Sequence, residues 1–122
     1  MSKNYDQLLD SAGLPITNMN ASWTTKSYAV GDNLHLGIHL IWDNIAPTGT
    51  MTLEYSCDPL DDGSAVEAVG WTAKTVTNID GTFLDLMYLD ANLPITAFRL
   101  VFQRTGGGSA NITSARINLK RD

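Results

Sequence analysis

Leu34-His35-Leu36-Gly37-Ile38-His39-Leu40-Ile41-Trp42 is the stretch that decides the fold class. Leu34, Leu36, Ile38, Leu40 and Trp42 fall on one face of an extended chain and His35, Gly37 and His39 on the other, the period of two that a half-buried strand requires. Downstream, Met51, Leu53, Tyr55 and Cys57 alternate with Thr50, Thr52, Glu54 and Ser56, so a second strand follows the turn formers Ala46-Pro47-Thr48-Gly49. Proline presets one backbone angle there and glycine permits the opposite sign, so the two strands are expected to form a hairpin. Near the C-terminal end Phe98, Leu100 and Phe102 alternate with Arg99, Val101 and Gln103. Beyond Gly106-Gly107-Gly108 the pattern resumes, with Thr113, Ala115, Ile117 and Leu119 opposite Ser114, Arg116, Asn118 and Lys120, which predicts a last pair of strands joined through the glycine turn.

The segments between these strands follow the same logic. Trp23 to Val30 is rich in Thr, Ser and Tyr, which suit a pleated, partly exposed surface, and predicts a first strand at an edge. Asp58-Pro59-Leu60-Asp61-Asp62-Gly63 concentrates turn formers and opens the longest loop, from which the chain returns near Trp71; Trp71, Ala73 and Thr75 then alternate with Thr72, Lys74 and Val76. Thr82 to Leu89, after the Asp80-Gly81 turn, is apolar on both faces and reads as a covered strand. About seven to eight strands at this spacing, with no amphipathic helix, predict an all-β antiparallel sandwich, jelly-roll-like, over residues 21–122. Residues 1–20, polar and irregular, are expected to form an N-terminal arm.

A chain of 122 residues with 43% hydrophobic and 17% charged side chains fits one domain. Folding at this size hides roughly two-thirds of the unfolded surface, enough for a core without covalent staples. The single cysteine excludes an intrachain disulfide. Thirteen acidic against eight basic residues give a net charge of −5, a poor match to the phosphate backbone of nucleic acid. No run approaches the ~20 apolar residues that cross a bilayer, and Met1-Ser2-Lys3-Asn4-Tyr5-Asp6 lacks the basic-then-apolar order of a signal peptide, so neither a membrane span nor a leader is expected.

Chemistry-bearing residues are sparse. His35 and His39 lie four apart on a strand, so their attachment points are about 13 Å apart, too far to share one ion bound at about 2 Å. Asp58, Asp61, Asp62 and Glu67 form an acidic loop, but its spacing matches no calcium-binding loop. Asp85 and Asp90 are not placed by sequence at any catalytic separation. Arg104-Thr105-Gly106-Gly107-Gly108-Ser109 lacks the Lys-Ser or Lys-Thr pair that completes a phosphate-binding loop. Cys57, on the apolar face of its strand, reads as a core residue. No catalytic residue, metal site or cofactor is expected. One binding alternative has a physical basis: indole and phenol rings stack on sugars, and Trp23, Tyr28 and Trp71 exposed on one face would make a carbohydrate-binding module, receptor-binding or fibre-associated.

Read in order, the strand ending in Trp42, the run Ala46-Pro47-Thr48-Gly49-Thr50-Met51-Thr52-Leu53-Glu54-Tyr55-Ser56, then Trp71, then Asp80-Gly81-Thr82-Phe83, and finally Phe98-Arg99-Leu100-Val101-Phe102-Gln103-Arg104-Thr105-Gly106-Gly107-Gly108 resemble the small β-sandwich proteins carried in structural gene modules of tailed bacteriophages. The resemblance covers roughly residues 22–120. It implies a non-enzymatic virion component, made in the host bacterial cytoplasm and displayed on the capsid surface as a decoration or cement protein. Its implied partners are the major capsid protein and further copies of itself, a trimer being favoured. The resemblance carries over no binding residue. The residues chosen for partner binding are Tyr5, Leu8, Leu9 and Leu14, apolar side chains on a polar arm with nowhere to be buried unless the arm folds back.

Overall fold

The computed structural model describes residues 3–30, 33, 35–45, 47–56, 72–76, 82–88 and 96–120, the strands 72–76 and 82–88 by their backbone pairing. Nine strands follow one another among them: β1 (Lys3–Tyr5), β2 (Trp23–Thr24), β3 (Tyr28–Ala29), β4 (His35–Trp42), β5 (Thr48–Ser56), β6 (Thr72–Val76), β7 (Thr82–Tyr88), β8 (Ala97–Gly106) and β9 (Ile112–Lys120). They build two antiparallel sheets. One runs β1-β9-β4-β7; the other runs β2-β8-β5-β6, with β3 also paired to β8.

The pairing is nested from the outside in. β1 pairs with β9, β2 and β3 with β8, β4 with β7, and β5 with β6. This long folded ribbon is then rolled so that β9 lies against β4 and β8 against β5. The result is the jelly-roll form of the predicted β-sandwich, in which most successive strands belong to opposite sheets. Two expected hairpins are therefore corrected. β4 and β5 are not paired, and neither are β8 and β9; the connection after Trp42 and the one after Gly106 each lead into the opposite sheet. Alternation specifies which side of a strand is apolar and is silent on its neighbour, because the same inward face serves a hairpin and a crossover equally well.

Gly49 shows the difference locally. It is a strand residue of β5 beside a register shift against β8, and a Cβ there would lie 2.2 Å from the carbonyl oxygen of Gln103. Close approach of two backbones, not a left-handed turn, requires glycine at this position.

The core sits between the sheets and is made of the side chains that the period of two selects. Leu36, Ile38, Leu40 and Trp42 from β4 and Ile117 and Leu119 from β9 face Met51 and Leu53 from β5 and Phe98, Leu100 and Phe102 from β8. Burying each large apolar side chain contributes about 1.5–3 kcal/mol. The alternation breaks at the end of β5, where Ser56 is buried and its carbonyl accepts the N–H and hydroxyl of Thr96 at 2.8 and 3.2 Å.

Residues 3–20 do not stand apart from this core. Lys3–Tyr5 adds a strand to the first sheet, and Leu8, Ile16 and Met19 join the cluster between the sheets. The expected division into an arm (1–20) and a sandwich (21–122) is corrected on this point: the segment is a lining of the sandwich. Its apolar residues are spaced by local turns and follow no helical or strand period, so their inward direction is invisible in the sequence.

Candidate functional site

The four residues chosen for partner binding separate once the chain is folded. Leu8 is 1% exposed and is not available to a partner. Tyr5 is half-buried, its ring 5.1 Å from that of Tyr28, and Leu9 is half-buried with its N–H donated to the Tyr28 hydroxyl at 3.0 Å. Only Leu14 projects, at 62% exposure. It ends a tight loop in which Asp10 Oδ1 accepts the N–H groups of Ala12 and Leu14, both at 2.9 Å, and Gly13 takes the left-handed φ of 81°. That carboxylate holds the loop open in one shape, so Leu14 is presented at little further entropic cost.

Among the described residues, Tyr28 and Trp23 do not lie side by side on an exposed face. Tyr28 is buried, stacked on Phe98 with ring centroids 5.3 Å apart, and Lys26 Nζ lies 5.1 Å over its ring. Burial raises the Tyr28 pKa above 10.0; the N–H from Leu9, which favours the phenolate, partly opposes the rise, and the nearby Tyr5 adds to it. Trp23 is half-buried because its register partner is the inward Phe102, against which it packs at 5.7 Å. Beside it lies an open groove of about 340 Å³ between Ser22–Thr24 and Val101–Gln103. Trp71 lies outside the described residues. The Thr- and Ser-rich context predicts an exposed Trp23, but in this edge segment those residues serve the backbone: Thr25 is buried, accepts the Leu100 N–H at 2.9 Å and donates to the Lys26 carbonyl at 2.9 Å.

Sequence reasoning overlooked one end of the sandwich. Asp43 Oδ1 accepts the Asn111 N–H at 2.8 Å, Asn44 Nδ2 donates to the Ser109 carbonyl at 3.0 Å, and Asn20 Oδ1 accepts the Ala110 N–H at 2.9 Å. Three connections, near residues 20, 44 and 110, are thereby sewn together, and Ile45 stands out beside them at 70% exposure. An isoleucine among turn formers was the available signal. The adjacent glycine run is clamped: the Arg104 guanidinium donates to the carbonyls of Gly107 and Gly108, and Gly107 takes a φ of 94°.

Ionisable groups are dispersed. Arg99 Nε donates to Glu54 Oε1 at 2.6 Å across β5 and β8, a partly solvated pair. His35 and His39 are exposed on the outward face of β4. Among the described residues no group of three or more His, Cys, Asp or Glu gathers to hold a metal ion. Cys57, Asp58, Asp61, Asp62, Glu67 and Asp90 lie outside the described residues, and Asp85 is described by its pairing with Ile38.

No protein-family profile matches the sequence, and no curated protein matches it. Solved structures that match include the infectious bursal disease virus VP2 subviral particle, at 15% identity and a TM-score of 0.43 over 99% of this chain and 30% of that chain. The chain thus spans about 30% of the length of that protein. A likeness of this degree carries no functional argument, so the class is defined by the strand pairing itself: an antiparallel jelly-roll sandwich.

Proposed function

We propose that this chain is a non-enzymatic structural protein of a bacteriophage virion, a capsid decoration or cement protein that binds the assembled head through the major capsid protein. Fold alone does not fix function, since jelly rolls serve both viral capsids and lectins. The observation that carries the proposal is the sewing of the whole described chain, N-terminal segment included, into one closed double sheet whose isolated exposed large apolar side chains, Leu14 and Ile45, sit on loops braced by hydrogen bonds. A rigid body with braced apolar contact points suits adhesion to a repeating lattice, where each copy must present the same shape without ordering on contact. The phage resemblance supplies the lattice. The lectin alternative is weakened, because Tyr28 is inside and Trp23 faces the core edge, while Trp71 lies outside the described residues.

The proposal is tested by mixing the purified chain with heads assembled from the major capsid protein of the same genome and sedimenting the particles. Saturable co-sedimentation, and heads that withstand more heat than undecorated ones, are the expected results. A chain that stays in the supernatant, or that is captured by a glycan array, contradicts it. A decoration protein seated at local three-fold positions is a trimer, which sedimentation equilibrium of the free chain measures directly.

A further inference from the structure

A slim knob and an open groove are neighbours on the edge of the second sheet. The knob is Leu14. Ser11, Ala12 and Gly13 before it are exposed and small, so the leucine is the one large side chain that this run presents. Asp10 Oδ1 fixes the loop through the N–H groups of Ala12 and Leu14, and Asp10 is itself bridged to Thr25, the residue that follows β2. The loop therefore stands beside the edge strand.

That strand carries the groove of about 340 Å³ between Ser22–Thr24 and Val101–Gln103. Its middle is apolar, with the half-buried Val101 set opposite Thr24 and the half-buried Trp23 next to them, and its rim is the exposed Ser22, Thr24 and Gln103. An apolar centre inside a polar rim is the anatomy of a protein interface, and tryptophan is among the residues on which such interfaces most depend. Both walls are fixed before anything binds, since Ser22 Oγ accepts the Arg104 N–H at 2.9 Å and the Thr25 hydroxyl accepts that of Leu100.

We infer that the Leu14 loop of one copy of this chain seats in the Trp23 groove of the next. The occupant follows from what the groove takes: one branched aliphatic side chain, carried on a loop thin enough to pass a hydroxyl rim. Every copy carries such a loop, already fixed in shape, so neither half of the contact has to be ordered on meeting. Knob and groove are different patches, which makes the contact head to tail, and patches that are neighbours on one copy meet those of other copies around a rotation axis close to both, the geometry of a small closed ring. The inference deepens the homo-oligomer of the proposed function and rests on that reading only for a ring of three. It also divides the two exposed apolar side chains, Leu14 going to the next copy and Ile45 being left to the shell.

Sedimentation equilibrium of the intact chain, without heads, reads the contact by itself. The expected result is a closed oligomer that L14S and T24R each weaken by about tenfold or more, the first by removing the knob and the second by filling the groove. Q103R fills the groove from the opposite wall and replaces T24R should that variant fail to fold. The deciding arm mixes L14S with T24R. One keeps only the groove and the other only the knob, so the mixture forms a complex of one of each although neither variant associates alone, a rescue that a purely structural role of these side chains does not produce. A wild-type chain that stays monomeric up to about 1 mM, variants that associate like wild type, or a mixture that stays monomeric overturns the inference, as does association lost in I45S and kept in L14S. A chain that associates as stated and leaves heads bare counts against the virion reading alone, and a monomer that coats heads counts against this inference alone.

Discussion

Thr25 shows how much of this fold is decided by single polar atoms. Between β2 and β3 the edge segment leaves the ladder, and the buried Thr25 hydroxyl accepts the N–H of Leu100 while its own N–H donates to the Leu100 carbonyl. Thr25→Val keeps the shape and strands the Leu100 N–H, so it should cost about 1–3 kcal/mol in chemical denaturation. Gly49→Ala must push a methyl into the Gln103 carbonyl, and the expected loss is about 3 kcal/mol or more, read from the same curves. Tyr28 yields a pH prediction. Its raised pKa means that the folded chain keeps a proton the unfolded chain has released, so stability is full below pH 10.0 and falls as pH rises above it. Tyr28→Phe should lose about 1 kcal/mol at neutral pH, with the Leu9 N–H left unpaired, and should show a shallower alkaline decline than wild type when melting is followed across that range. None of these three roles is legible in the sequence, where Thr25 looks like surface, Gly49 like a turn and Tyr28 like a platform for sugar.

Strands were legible where a period of two persists, and their partners were not. β4, β8 and β9 run 8, 10 and 9 residues, and Leu36, Phe98 and Ile117 are found inside as their spacing dictates, although the alternation lapses at the start of β9, where Thr113 is exposed. The crossovers after Trp42 and Gly106 look like hairpins in the sequence because proline and glycine announce a reversal without saying into which sheet the chain returns. Residues 3–20 escaped altogether, since Leu8, Ile16 and Met19 reach the core from loops braced by backbone bonds such as Ile16 N–H to the Leu8 carbonyl. This has an experimental consequence. Leu8→Ala should cost about 2–5 kcal/mol. Deleting residues 2–20 removes three buried side chains and a strand, a loss comparable with the whole stability of about 5–15 kcal/mol, so the truncated chain should lack the cooperative thermal transition and far-ultraviolet signature of the full one. A truncation of that kind reports folding, and partner binding is better probed by Leu14→Ser or Ile45→Ser, which leave the core intact.

At the scale of the whole molecule, the candidate site was the least readable part. Of the residues selected for adhesion only Leu14 is presented to solvent, because apolar identity alone does not distinguish a side chain awaiting a partner from one already buried by its own chain. Ile45 becomes visible once the fold brings the connections near residues 20, 44 and 110 together. The described residues form two packed sheets with Leu14 and Ile45 exposed on braced loops. The most direct measurement is a cryo-electron microscopy reconstruction of heads incubated with the purified chain. The expected result is a separate jelly-roll density repeated over the outer lattice, with Leu14 or Ile45 against the shell. Bare heads under saturating chain would contradict it.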